Sequence, residues 1–356
     1  MARSGAKDDA YVVSHSTKFL ARATTERRHD FGQYAPDDAR ARYCEPWRFP
    51  IVDTHGPAEG EDRAAAYALN DVTFVYHDAD GQEPAEVGVV GTFAGLHQVT
   101  PLRRVGLPEG PSPYWAATVV VPKAQVHRYL FRLDGRLLRD PVNPQAVTMD
   151  NGRQWSRFFT DACALPLVLD EGERALLDRL TDHILPFRTS SGRRFLSDHY
   201  AELDRSEPAF VHAYRLDESV GVVNYIDKLL ARQESHYLDD YRVCLRQIDR
   251  LLRARNPYSE PARMGREMFE QLYGELGSGS VTGWDYDAYA QPQFFLSLLR
   301  RHTFTGAFSH PKYGGNSAAA GWAYLQELLR DEQGNTLFNW RRAIEAPLGD
   351  NVDYVG

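Results

Sequence analysis

Cysteine is scarce in this chain, and the three that occur, Cys44, Cys163 and Cys244, stand far apart. With no CxxC pair and no Cys/His cluster, nothing supports a structural zinc, iron–sulfur or haem site. An odd, sparse count fits a reducing compartment. Long apolar runs are missing too, and none approaches the roughly 18–20 residues that cross a bilayer. The adjacent Arg27 and Arg28 precede no hydrophobic stretch, so no export signal is read there and a cytoplasmic location is expected. Positive charge is not in surplus either. The net charge is -8, and basic residues alternate with acids in "ERALLDRLTDH" and "RQIDRLLRAR". That is the pattern of solvated helix faces, and it argues against a nucleic-acid partner.

Catalytic signatures are equally absent. The chain has no GxGxxG after a strand, no P-loop and no GxSxG elbow. Its histidines, among them His183, His212, His236, His302 and His310, are scattered without HExxH or paired i, i+4 spacing. Acidic pairs such as Asp239–Asp240 read as helix surface, and no two carboxylates stand out for glycoside chemistry. No catalytic residue, metal ligand or bound cofactor is therefore assigned to this chain.

What is present is a change of period. The 356 residues, 43% hydrophobic and 25% charged, suffice for about two globular domains. Residues 1–66 are polar and irregular and read as an arm over a neighbouring domain, with Tyr43, Trp47 and Phe49 available for packing. Over 67–162, "DVTFVYH", "EVGVVGTF", "YWAATVVVP" and "HRYLFRLDG" alternate with period two between turn signals. They predict a small antiparallel β-sandwich. From 167 to 356 the period is helical. "ERALLDRLTDHILP", closed by Pro186, "VGVVNYIDKLLA" and "YRVCLRQIDRLL" each carry a one-sided apolar face, which predicts a helical bundle. The fold class is thus α+β in two domains.

One stretch breaks the helical pattern: "GAFSHPKYGGNSAAAGW", Gly306 to Trp322. The Gly314–Gly315 pair could serve a tight turn alone, through positive φ. It could equally let the backbone approach a partner closely, with Tyr313 and Asn316 bonding and Trp322 anchoring. His310 is carried as a candidate because it adjoins the turn.

The helical half resembles the gluconate 2-dehydrogenase subunit 3 family, the small subunits of flavin-dependent sugar and polyol dehydrogenases. The resemblance rests on the opening helix, on "VGVVNYIDKLLA", and above all on Phe308, Pro311, Tyr313, Gly314, Gly315, Asn316, Gly321 and Trp322 in order. It implies a non-catalytic accessory subunit whose large partner, a glucose–methanol–choline type flavoprotein, holds the FAD and the proton-abstracting base. On that reading Phe308, His310, Pro311, Tyr313, Gly314, Gly315, Asn316 and Trp322 form the partner interface.

The sandwich looks like the Ig-like glycogen-binding module, through "VGVVGTF", "YWAATVVVP", "HRYLFRLDG" and "RDPVNP". That family's aromatic sugar platform falls here on Leu96, Leu130 and Leu137, which offer no flat face to a sugar ring. Trp115 and Trp155 remain as carbohydrate candidates. A binding module with a helical scaffold is the alternative function.

Overall fold

The computed structural model describes residues 7–20, 49–56, 60–62, 65–66, 68–143, 145–185, 187–203, 220–336 and 338–340. Arg27, Arg28, Tyr43, Cys44, Trp47, Pro186 and His212 lie outside the described residues. The chain divides into two compact units between Leu165 and Pro166.

The first unit opens with helix α1 (Asp9–Phe19) and strand β1 (Ile51–Thr54). Then follow β2 (Leu69–His77), β3 (Val87–Gly91), β4 (Thr100–Pro101), β5 (Arg103–Leu107) and β6 (Gly110–Pro122). The unit closes with β7 (Val126–Leu133), β8 (Arg136–Leu138), β9 (Ala146–Thr148) and β10 (Gln154–Phe159). One sheet runs β1-β2-β6-β5, the other β4-β3-β7-β10-β9 with β8 on β7.

Alternation explains the layering. Val72, Phe74 and Tyr76 of β2 and Val119 and Val121 of β6 point inward. There they bury against Val89, Tyr129, Phe131 and Phe158 of the other sheet. The β-rich half is therefore two antiparallel sheets around one core.

The residues between the inward ones point the other way. Ile51, Val75, Val105, Tyr114 and Ala116 form a second apolar face, and Val12 of α1 packs on it. Asp9 fixes the helix in place by accepting the Gly106 N–H at 2.9 Å and pairing with Arg103. The expected arm of residues 1–66 thus contributes a packed helix and an edge strand, and the sheets begin at Ile51 rather than at 67. The arm's polarity hid this, because β1 has only four residues and two of them, Asp53 and Thr54, are polar yet buried.

A polar network is sealed inside the same unit. Tyr129 donates to Asp140 at 2.6 Å, and Asn143 donates to the Tyr129 oxygen at 3.0 Å. Asp140 and Asn143 are thereby tied to β7.

The second unit contains α2 (Glu171–Ile184), α3 (Ser190–Glu202), α4 (Val222–Ala231), α5 (Leu238–Arg255), α6 (Arg266–Ser278), α7 (Pro292–Phe308) and α8 (Ala320–Leu328). α2 starts on a capping box, with Asp170 accepting from the Glu173 N–H and Glu173 from the Asp170 N–H. α6 stops at Gly279, whose φ of 75° closes the last turn. Leu177, Leu180, Ile226, Leu230, Tyr241, Ile248, Phe269, Phe295 and Leu299 share one core. Helix α4 is buried on all sides.

Candidate functional site

The last carbonyls of any helix lack partners within it. In α7 the Gly306-to-Trp322 segment supplies them. Asn316 donates its backbone N–H to Gly306 O at 2.8 Å, and the Trp322 indole N–H donates to Phe308 O at 2.7 Å. The Asn316 side chain donates to Ser309 O and accepts the Gly321 N–H, both at 2.8 Å. One fully buried asparagine therefore joins the end of α7 to the start of α8.

Glycine is required here for two different reasons. Gly314 has φ 94°, the left-handed region that glycine adopts without cost. Gly315 needs no positive φ. A β-carbon there would lie 2.9 Å from the Tyr225 Cβ and nearer still to Gly306 O. Gly321 is the same case, its absent β-carbon falling 3.0 Å from the Ala307 carbonyl carbon and closer to the oxygen. Asn316, Ala318 and Ala319 also take positive φ, between 46° and 56°. Non-glycine residues held there cost of order 1–3 kcal/mol each, so the surrounding bonds over-determine the turn.

The floor of the turn is α4. Asn224 donates to Gly314 O at 2.7 Å, and Lys228 donates to Asn224 Oδ1 at 3.1 Å and to Asp227 Oδ2 at 3.2 Å. The Asp227 carboxylate also accepts the backbone N–H groups of Leu167, Val168 and Leu169 at 2.8–3.0 Å. Sequence reasoning took only the apolar residues of "VGVVNYIDKLLA". The available signal was Asn224, Asp227 and Lys228 at i, i+3, i+4, three polar residues on one face of a hydrophobic helix.

A second buried chain lies beside Tyr225. Glu234 accepts from His302 Nε2 at 2.8 Å and from Arg301 at 2.5 Å, and His302 Nδ1 meets the Tyr241 hydroxyl at 2.9 Å. A carboxylate only accepts, so Nε2 carries the proton and Tyr241 donates to Nδ1. Burial lowers the His302 pKa, against the bond and charge of Glu234, which raise it. Burial alone would raise the Glu234 carboxyl, but the bond and charge of His302 and the charge of Arg301 hold it below its usual value. Burial, then the charge of Glu234, pushes the Tyr225 phenol up.

Of the residues singled out from sequence, Phe308, His310, Pro311, Gly314, Gly315, Asn316 and Trp322 converge on this turn. All are buried except the half-buried Phe308. His310 accepts the Lys312 N–H at 3.1 Å and meets the Trp322 ring edge-on at 5.6 Å. Tyr313 is the exposed one, at 42%. The bonding groups of the turn face inward and hold the backbone rather than present a nucleophile or base to solvent.

Trp115 and Trp155 are not brought together. Trp115 packs against the core between the sheets, with the Arg104 guanidinium 5.9 Å from its ring. Trp155 alternates with the inward Ser156 and Phe158 and so stands on the opposite face of β10. Leu96 and Leu137 are exposed, while Leu130 is buried. Among the described residues no His, Cys, Asp and Glu side chains group as a metal-binding set, and no helix is long and apolar enough to cross a membrane.

Comparison with solved structures returns the enterochelin esterase of Shigella flexneri, 18% identical over 34% of this chain and 36% of that one, TM-score 0.26. The ferric enterobactin esterase of Salmonella typhimurium is 17% identical over 34% and 37%, TM-score 0.26. This chain spans about a third of the length of those esterases, and scores this low carry no inference about fold or chemistry. No curated protein matches the chain. The sequence model of the family gluconate 2-dehydrogenase subunit 3 does match, over residues 171–326, from the first residue of α2 into α8.

Proposed function

We propose that this chain is a non-catalytic small subunit that binds and stabilises a flavin-dependent sugar or polyol dehydrogenase of the glucose–methanol–choline type, in the cytoplasm. The observation that carries the reading is the family match over residues 171–326, which includes the whole Gly306-to-Trp322 turn. The turn's geometry supports it: a strained, fully bonded backbone suits a preorganised docking element better than a catalytic centre. The partner supplies FAD, which takes the hydride from the carbinol carbon, and the base that removes the hydroxyl proton. The sandwich is read as an Ig-like module of the glycogen-binding type whose sugar platform is lost, since leucines occupy it.

Coexpression with the glucose–methanol–choline type flavoproteins of the same genome tests this. The expected result is a yellow complex that oxidises a sugar or polyol with an artificial acceptor, while this chain alone is colourless and inactive. Failure to retain any such flavoprotein, or flavin bound by this chain in isolation, would overturn the reading.

A further inference from the structure

Trp322, the tryptophan of the turn motif, is covered by another tryptophan of the same chain. Ala319, Trp322 and Trp340 form a small buried cluster distinct from the main core of the helical unit, with Leu203, Ala323 and Phe338 packed against it. The seat has three walls. His199 of α3, which donates to Ala318 O at 2.8 Å, and Leu203 just past that helix make the first. Ala319 of the turn makes the second, and Trp322 and Ala323 of α8 the third. Trp340 fills the seat, only 3% exposed, with its ring edge-on to His199 at 5.8 Å between centroids.

The segment that carries Trp340 is built differently from these walls. The family match ends at Gln326, so the segment lies beyond the matched region. After α8 the chain reverses at Asp331, which accepts the N–H groups of Gln333 and Asn335 at 3.0 and 2.7 Å. Gly334 takes φ 84°, and Arg330 and Thr336 pair as an isolated bridge. These bonds close within the segment, so the turn keeps its shape whether or not Trp340 is seated. Residues 327–335 are all exposed, Leu328 and Leu329 at 62% and 60%. Apolar attachment to the seat comes from Phe338 and Trp340, with the Trp340 N–H donating to the Gln326 side chain at 3.1 Å. An exposed, self-bonded loop held down by two aromatic rings belongs to the low-stability end of a fold, where local opening occurs.

On the accessory-subunit reading Trp322 is part of the partner interface, and it cannot meet a partner while Trp340 lies on it. Its indole N–H is already committed to Phe308 O, so what the seat offers is apolar and aromatic surface. The group that now satisfies this surface is an indole, and a ring of the same kind from another polypeptide would satisfy it equally.

We infer that residues 329–340 are an autoinhibitory plug, in which Trp340 occupies the seat that receives an aromatic side chain of the flavoprotein large subunit, and that docking displaces it. This rests on the accessory-subunit reading and deepens it by naming the seat, the contact chemistry of the partner and the gate between them. A seat open in only a fraction of molecules lowers the apparent affinity by that fraction, so emptying it by mutation tightens the complex.

The test uses the full chain with the glucose–methanol–choline type flavoproteins of the same genome, and affinity is read by biolayer interferometry. Trp340→Ala should bind about tenfold tighter than wild type, the effect of a seat open in roughly a tenth of molecules, with Trp340→Phe in between. In hydrogen exchange, the amides of residues 338–340 should exchange faster in the wild-type complex than in the free chain, while those around Trp322 slow. A wild type that binds while Trp340→Ala binds no tighter would overturn the plug and leave the accessory reading standing. So would amides at 338–340 that the partner slows. If Trp340→Ala loses the melting transition of the helical unit, the ring is core and the plug is wrong. If neither form retains a flavoprotein, the accessory reading falls and the plug falls with it.

Discussion

The carboxylate of Asp227 and the ammonium of Lys228 lie 3.2 Å apart with almost no solvent at either group. The same carboxylate carries three backbone N–H groups from residues 167–169. Charge and hydrogen bonding are therefore balanced around one buried side chain, and the balance fails asymmetrically when either partner is replaced.

Asp227→Asn leaves a buried ammonium without its counter-charge and weakens the acceptor of three N–H bonds. A loss of about 3–5 kcal/mol is expected, the cost of breaking a buried pair from one side. Lys228→Met keeps the carboxylate with its three donors and should cost less. Calorimetric melting of both variants orders them, and an Asp227→Asn protein within about 1 kcal/mol of wild type would contradict the pairing.

Asn316 is both donor and acceptor, and two replacements separate the roles. Asn316→Asp keeps the acceptor for Gly321 N–H but sets a carboxylate against Ser309 O. Asn316→Ala loses both bonds and places alanine at φ 46°. Each should cost roughly 1–3 kcal/mol, with alanine the more damaging. Urea midpoints at constant m-value would show the order.

The glycines should respond according to their different constraints. Gly315→Ala and Gly321→Ala drive a methyl into the main-chain oxygens of Gly306 and Ala307 and should destabilise at or above the usual ~1–3 kcal/mol of overpacking. Gly314→Ala adds positive-φ strain and a methyl 2.7 Å from the Asn224 amide nitrogen, a side chain that can move. It should fold best of the three, as read by circular dichroism during heating.

His302 gives the pH dependence a sign. Its folded pKa lies below the ordinary 6.5 because burial disfavours the imidazolium. The unfolded chain therefore binds the proton more readily. Stability from this group is present above 6.5 and is lost as pH falls from there toward the folded value. His127 and His183, also lowered by burial, act in the same direction. His302→Gln should flatten the stability profile below about pH 6.5 without abolishing it. An unchanged slope would mean the Tyr241–His302–Glu234 chain titrates elsewhere.

On the glycogen-binding reading proposed above, glucan should bind weakly or not at all, because the platform positions of that module would fall on leucines, of which Leu96 and Leu137 are exposed. Migration through glycogen-containing gels is the measurement. Strong retardation removed by Trp155→Ala would place a sugar surface on the outer side of β10.

Long, regular elements were legible from sequence. The alternation in "DVTFVYH" and "YWAATVVVP" became β2 and β6, and the apolar stripes at Leu176 to Ile184 and Tyr241 to Leu252 became parts of α2 and α5. β1, β4, β8 and β9 were missed because two to four residues carry too little period to detect, and β5 and β10, of five and six residues, were not read either. At the glycine turn, sequence named the residues but not their cause. A glycine needed for positive φ and one needed for close approach look identical in a string. Only the position of Gly306 O and Ala307 O tells Gly315 and Gly321 from Gly314.

Helix α1 has a consequence for synthesis. It leaves the ribosome well before Gly106, which bonds Asp9 and lies 97 residues later. At about 5–20 residues per second, Val12 and its neighbours wait roughly 5–20 seconds for the β5–β6 surface that covers them. During that interval the apolar side of α1 must stay soluble without the sheet face it packs on. Translation rate and chaperone capture of the nascent chain, more than equilibrium stability, then govern the yield of correctly closed protein.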